Sequence, residues 1–338
     1  MGTWVVSADL LARSRFVISP FCETVAAVTI LSRPDTPGIP WQRAFRERHR
    51  EAYLALLARD EVRGAIVDHA WRPRRGQRAG WMADFLGLPP LGHDASFEDE
   101  AAQLATWDDD RIRDEIRQLT GAPPPAPLLK RTALNDTVTE ILRWVWTTTL
   151  LPDWPRRRRV LEADVVARTS RLASHGWADV VTTLGSRTRW LGDGHLQING
   201  YDLPSRDLSA AQELSFVPVH SNGSWVAWEL PRRFALVYPA AGALAAVDSA
   251  RPTGLDRLVG ANRARILRLL DEPHSTTQLA ALTGLPPGSV GNHLRVLLDA
   301  GVVLRRRSGR EVLYWRTSLG DSLRHPPGPA AAGRSACR

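Results

Sequence analysis

Thiols are almost absent from this chain. Its 338 residues include two cysteines, Cys22 and Cys337. That is too few for a disulfide framework, and neither has a metal-like neighbour. Lysine is nearly missing too: Lys130 is the only one, so the basic charge is carried by arginine. Long apolar runs are missing as well. The longest, FALVYPAAGALAAV at 234–247, has 14 residues and contains Pro239 and Gly242. A membrane-spanning helix needs ~20. The N-terminus MGTWVVSADLLARSRF lacks a basic start followed by an apolar block, so no secretory signal is read. These absences lead to the expectation of a reducing, cytoplasmic setting. The Asn-X-Ser/Thr triplets at Asn135 and Asn222 then read as chance matches. No GxGxxG, phosphate-binding loop, HExxH or GxSxG pattern occurs, so the chain is not expected to be an enzyme.

What is present is a skewed charge. The net charge is +8. Residues 255–319 hold ten arginines against five acids, and 320–338 hold three against one; the first 254 residues are close to balanced. A local basic excess is the electrostatic footprint of a polyanion binder, although an arginine-biased solvated surface gives the same count.

Proline clusters mark the joints. GAPPPAPLL (121–129) reads as a rigid connector, DSARPTG (248–254) as a second break, and HPPGPAAAGRSACR (325–338) as a disordered tail. Residues 1–120 have helical periodicity: Trp41, Phe45, Tyr53 and Leu56 share one face of IPWQRAFRERHREAYLALLARDEV. The acidic run Asp108–Asp110 suits a helix start. Helical character continues from 130 to 170, with breaks at Pro152 and Pro155. From about 187 the texture becomes short β-rich runs, and SNGS (221–224) reads as a hairpin turn. Asp193 and His195 sit in a turn, where solvated loop residues are the expected reading rather than catalysis. Twelve of the thirteen tryptophans precede residue 229. They are expected mainly in the core, with an aromatic-lined ligand pocket as the alternative.

The last quarter is the most informative. TGLDRLVGANRARILRLLDEP predicts a helix with Leu258, Ile266, Leu269 and Leu270 inward, stopped by Pro273. STTQLAALTG follows: Ser275 and Gln278 form a capping-box pair, Leu279 and Leu282 make the apolar face, and Gly284 is placed as a C-terminal cap. Pro287 sits at a helix first position. Val290, Leu294, Leu297 and Leu298 make one buried stripe, and Gly301 ends the helix. Helix, short turn, helix is the arrangement that lays its second helix in the DNA major groove. The outward residues would be Ser289, Asn292, His293 and Arg295, types that bond to base edges or phosphates. Two β-rich runs, 302–306 and 311–316, flank RSGR, giving a hairpin whose tip carries Arg305, Arg306, Arg307 and Arg310. Such a wing would hold phosphates while the helix reads bases.

With these motifs in place, GANRARILRLLDEPHSTTQLAALTGLPPGSVGNHLRVLLDAGVVLRRRSGREVLYWRTSLGD (260–321) resembles the winged helix-turn-helix of the ArsR family of bacterial repressors. The resemblance covers about a fifth of the chain. It implies double-stranded DNA as partner, a homodimer, repression, and DNA contacts that add Thr276, Thr277 and Gln278 to the residues above. The upstream motifs RFVISPFCETVAAV, ADFLGLPP, VLEADVVARTSRLASHG and LVYPAAG resemble a domain of unknown function found ahead of such modules in high-GC actinobacterial proteins. Departures matter. Many ArsR members read Ser-Arg-His-Leu where this chain has Gly291, Asn292, His293 and Leu294, so base preference should differ. Pro286 stands where a serine cap is usual, which forgoes a bond of ~1 kcal/mol. Founding members sense metals through cysteines in the first helix of the motif, and TTQLAAL has none. No metal and no cofactor are therefore expected, and any effector would be a non-metal small molecule.

The expected fold class is α+β: a mainly helical N-terminal region, a small β-rich segment and a C-terminal winged helix-turn-helix. The expected domains are 1–120, helical; 130–248, an α+β region for ligand sensing or dimerisation; 255–320, DNA-binding; and 325–338, a disordered tail. The alternatives are a winged-helix scaffold for protein contacts, or an unrecognised enzyme fused to a DNA-binding module.

Overall fold

The computed structural model describes residues 2–33, 39–71, 81–185, 187–201, 203–221, 223–240, 254–270, 273–283, 285–308 and 311–324. Two compact units divide the chain, Met1–Ala245 and Ala246–Arg338. The fold is α+β, as the sequence led us to expect.

In the first unit the described elements are β1 (Thr3–Val5), α1 (Ala8–Arg13), β2 (Arg15–Phe16), α2 (Pro20–Ser32), α3 (Pro40–Ala58), α4 (Glu61–Ile66), α5 (Phe97–Ala101), α6 (Asp109–Thr120), α7 (Ala126–Lys130), α8 (Leu134–Val145) and α9 (Trp154–Thr182, interrupted at Gly176). Strands β3 (Arg189–Gly192), β4 (His195–Gln197), β5 (Arg206–Asp207), β6 (Glu213–Val219), β7 (Trp225–Glu229) and β8 (Arg233–Pro239) follow. π-helical turns occupy Val67–Trp71 and Trp146–Leu150.

α2 is the hub. Eleven of its thirteen residues are buried, the signature of a helix apolar all round. Ser19 caps it, accepting from the Cys22 N–H at 3.0 Å, and Pro20 fills the first turn. The cap is itself held by Glu100 of α5: its Oε2 accepts from the Ser19 hydroxyl at 2.8 Å and the Phe21 N–H at 2.9 Å. Burial pushes this carboxyl up to about 7, although those hydrogen bonds favour its charged form. α2 packs on α3, α5 and α8, and this helical core runs on through Leu128 and Leu134 to Leu150.

Two small sheets complete the unit. One has the order β3-β4-β1-β5; the other, β2-β6-β8-β7, pairs β2, β6 and β8 in parallel and β7 antiparallel to β8. The runs Glu213–Val219 and Arg233–Pro239 are nearly continuously apolar because the sheet is covered on both faces. Val217, Val219, Ala235 and Val237 pack with Cys22 and Ala26 of α2. Leu214, Phe216, Phe234, Leu236 and Tyr238 pack instead with Trp4, Leu10, Phe16 and Val180.

Three expectations are corrected here. The 121–129 stretch does not separate domains, because residues on both sides share one core and Leu128 is itself buried. SNGS is not a hairpin turn: β8 lies between β6 and β7, and the hairpin is β7–β8. The β-rich segment also recruits β1 and β2 from the N-terminus. The break near Pro152 holds, with a 3-10 turn at Leu151–Asp153, and Asp108 caps α6 through the Arg111 N–H.

The second unit comprises α10 (Gly254–Val259), α11 (Ala261–Leu269), β9 (His274–Ser275), α12 (Thr276–Thr283), α13 (Pro287–Asp299), β10 (Val303–Ser308), β11 (Glu311–Arg316) and α14 (Ser318–Arg324). Its sheet order is β10-β11-β9. Helices α11, α12 and α13 pack on one another beside a small sheet with a hairpin, the arrangement of a winged helix-turn-helix, and α10 and α14 flank them in the chain. The first predicted helix is broken at Gly260, which has φ 84°. Leu258 consequently falls on the separate α10 and is 70% exposed, while Leu267, which the periodicity reading passed over, is buried with Ile266 and Leu270. The tail 325–338 lies outside the described residues.

Candidate nucleic-acid interface

Local chemistry sets both helices of the motif. Ser275 Oγ accepts from the Gln278 N–H at 3.3 Å, and Gln278 Oε1 accepts from the Ser275 N–H at 2.7 Å. This is the predicted capping box. The expected cap at Gly284 lies outside the described residues. Pro286 is the α13 N-cap and makes no side-chain capping bond, and Pro287 opens the helix. At the other end Gly301 takes φ 68°; its N–H donates to the Leu298 carbonyl at 2.9 Å and the Val302 N–H to the Leu297 carbonyl at 3.1 Å. Those two bonds form a Schellman stop, sealed by the buried pair Leu297 and Val302.

Val290, Leu294 and Leu297 of α13 are buried, with Leu298 half-buried beside them. The commitment of that stripe turns the opposite side outward. Asn292 and Arg295 are exposed, and Ser289 and His293 are half-exposed. Ser289, Asn292 and His293 follow the helical repeat along one face, and Val296, 43% exposed, extends it. Sequence reasoning missed Val296. A valine on a polar face was the available signal, and it offers an apolar contact of the type that reads a thymine methyl.

On α12, Thr277 is exposed and Thr276 half-buried. Gln278 does not belong with them: it is 5% exposed and its carbonyl is spent on the Ser275 cap. The wing also differs in detail. β11 coincides with the expected run 311–316, but β10 runs on to Ser308, which pairs with Glu311, so Arg305–Arg307 lie on β10 rather than at the tip. All three are exposed. Arg305 stands across from Tyr314, Arg306 from Leu313 and Arg307 from Val312. Successive strand residues alternate faces, so these guanidiniums do not form one row. Arg310 lies outside the described residues.

In the first unit, sequence reasoning missed a buried charge network. Glu23, inside the apolar α2, accepts from Arg157 Nη1 and His220 Nδ1 through Oε1, each at 2.9 Å, and from the His220 backbone N–H through Oε2 at 2.9 Å. Burial opposes the charged carboxylate, but His220 and Arg157 outweigh it and hold the carboxyl below its ordinary value. A second network joins Tyr238, whose hydroxyl donates to Asp164 Oδ2 at 2.7 Å, with Arg168, whose guanidinium stands 4.9 Å from the Tyr238 ring centroid. Glu23, Asp164, Arg168 and Tyr238 all fall in the upstream motifs quoted above, and all are inside the protein. The signal available was a charged residue in a run otherwise apolar all round.

A cleft of about 380 Å³ is lined in part by Phe97, Trp146 and Trp154. Phe97 stacks on Trp146 with centroids 5.4 Å apart, and Trp154 meets Trp146 edge-on at 5.0 Å. Asp94, Glu98 and Arg158 line its polar side. Asp193 falls in the β3–β4 turn as expected, but His195 opens β4, and its imidazole Nδ1 lies 2.9 Å from the Asp193 carbonyl. Among the described residues no group of three or more His, Cys, Asp or Glu is placed to hold a metal ion, and no helix is long and apolar enough to cross a membrane.

The family model described as a helix-turn-helix domain matches residues 261–306, from the start of α11 into the first wing strand. No curated protein and no solved structure matches the chain. The second unit is thus similar, in sequence as in architecture, to the helix-turn-helix domains of DNA-binding transcriptional regulators.

Proposed function

We propose that this protein is a cytoplasmic, homodimeric transcriptional repressor of the ArsR type, without enzymatic activity. The observation that carries the reading is the outward stripe Ser289, Asn292 and His293 on α13, flanked by Arg295 and followed by the exposed wing arginines. The helix would choose the sequence and the wing would hold the backbone. Dimerisation follows from the two-fold logic of operators, and Leu258 on α10 and Leu319 on α14, 70% and 51% exposed, offer apolar surface for it. The effector would be a non-metal small molecule, and the Phe97–Trp146–Trp154 cleft supplies a place for it. Its binding would bias the dimer between arrangements that fit two half-sites and ones that do not.

Genome-wide mapping of bound DNA tests this most directly, because it reports binding and the regulated genes together. In vitro, affinity for a mapped site should fall by orders of magnitude between ~50 and ~200 mM salt. Arg306→Ala with Arg310→Ala should weaken all sequences about equally, whereas Asn292→Ala should change the order of preference. Flat salt dependence, or no protected fragment anywhere, overturns the reading in favour of a protein-contact scaffold.

A further inference from the structure

The wing leaves a cleft of about 570 Å³ within its own unit. Leu270 and Pro273 wall it on one side, Leu313 and Trp315 of β11 supply apolar and aromatic surface, and Arg306 and Arg307 of β10 supply charge. Arg316 and Asp321 complete the lining and are committed to each other: Arg316 Nε donates to Asp321 Oδ1 at 2.6 Å, and its Nη1 donates to the Leu267 carbonyl at 2.8 Å. Arg306 is exposed and has no partner among the described residues. The described lining therefore sets three arginines against one aspartate around an apolar floor. Trp315 is the only tryptophan in this unit, and its ring is half-buried.

We propose that this cleft binds a small aromatic anion, a flat ring bearing a carboxylate, sulfonate or phosphate, and that the ligand competes with DNA for the wing. The volume lies in the range of small-ligand sites, ~300–1,000 Å³. Indole and leucine surface takes up the ring, and the exposed Arg306 guanidinium, which has no partner among the described residues, meets the acid group through charge-assisted hydrogen bonds. The site needs no rearrangement of the Arg316–Asp321 pair. Competition follows because Arg306 cannot serve a DNA phosphate and a ligand anion at once. This second step rests on the DNA-binding reading; the first does not.

The test uses the full chain and two fluorescent probes of matched shape: 1-anilinonaphthalene-8-sulfonate, which is anionic, and N-phenyl-1-naphthylamine, which is uncharged. The sulfonate is expected to bind about tenfold more tightly than the amine, and Arg306→Gln to remove most of that gap while leaving amine binding unchanged. Equal affinities, or a gap that survives in Arg306→Gln, overturn the anion site. In the second arm, saturating sulfonate should raise the apparent Kd for DNA about tenfold in the wild type, the amine should not, and Arg306→Gln should lose the effect. Unchanged DNA affinity with the cleft occupied overturns the competition. If the chain binds no DNA at low salt, the regulatory step fails with that reading, and the probe gap alone still decides whether the cleft is an anion site.

Discussion

Glu100 makes the first unit sensitive to pH in a direction opposite to that of most carboxylates. Its carboxyl is buried under the N-terminus of α2 and its pKa stands at about 7, against 4.5 for the free group. Between those values the folded protein keeps a proton that the unfolded chain has released. The folded state therefore binds more protons, and stability falls as pH rises. The contribution is fully present below pH 4.5 and is lost as pH climbs through 7. At ~1.4 kcal/mol per pKa unit, the loss over this window is about 3 kcal/mol. Glu100→Gln removes the titration. The glutamine carbonyl can still accept from the Ser19 hydroxyl and the Phe21 N–H, but the new amide group lands where Glu100 Oε1 has no hydrogen-bond partner among the described residues. That mispairing costs ~1–3 kcal/mol at every pH. The diagnostic is therefore the difference between two pH values within each protein, in which the constant cost cancels. Urea unfolding at about pH 5 and about pH 8, followed by tryptophan emission, reads the first unit because twelve of the thirteen tryptophans lie there. The wild type should lose about 3 kcal/mol more than the variant between the two conditions. Equal losses would mean that Glu100 ionises near its free value and that burial under the α2 cap does not control it.

Further outcomes follow from other positions. Glu23→Gln leaves Arg157 and His220 buried without their carboxylate, and unfolding of the first unit should become easier by about 3–5 kcal/mol in urea titrations. Gln278→Ala should lower stability of the winged helix by about 1 kcal/mol through the lost cap bond yet leave the order of DNA preference unchanged, in contrast to Asn292→Ala. Leu297→Ala cuts into the centre of the second unit and its Schellman seal, so a loss of about 2–5 kcal/mol is expected in calorimetry of that transition. Gly320→Ala places a Cβ against the Val302 carbonyl oxygen, a backbone atom that cannot swing aside; α14 must shift, and a lowered Tm of the second unit should report it.

The second unit was legible because its instructions are local. The Ser275–Gln278 cap spans three residues, the α13 stop is set by a glycine at the helix end, and the wing closes between neighbouring strands. Each such signal carries its own physical cause within one turn or hairpin, so order and spacing along the chain were enough. Even here locality misled where side chains have two possible uses. Gln278 reads equally well as a DNA contact or as a cap, and only its burial decides for the cap. In the same way, Leu258 keeps the helical repeat, yet Gly260 ends that helix before the repeat can bring it inward.

The first unit resisted because its determinants are distant in sequence. His220 reaches Glu23 across 197 residues, and Arg157 reaches it across 134. β1 and β2 find their partners near the other end of the unit. β6 and β8 pair in parallel with β7 between them in the chain, an arrangement that a turn-based reading converts into a false hairpin at 221–224. Apolar runs reveal burial but not neighbour or direction. The polar residues within those runs carry more information than the runs themselves. A glutamate in PFCETVAAV, or an aspartate and arginine one turn apart in α9 facing a buried tyrosine, has to be neutralised where it lies. Each such residue therefore demands a specific partner, and those partners fix how α2 and α9 seat on the parallel sheet.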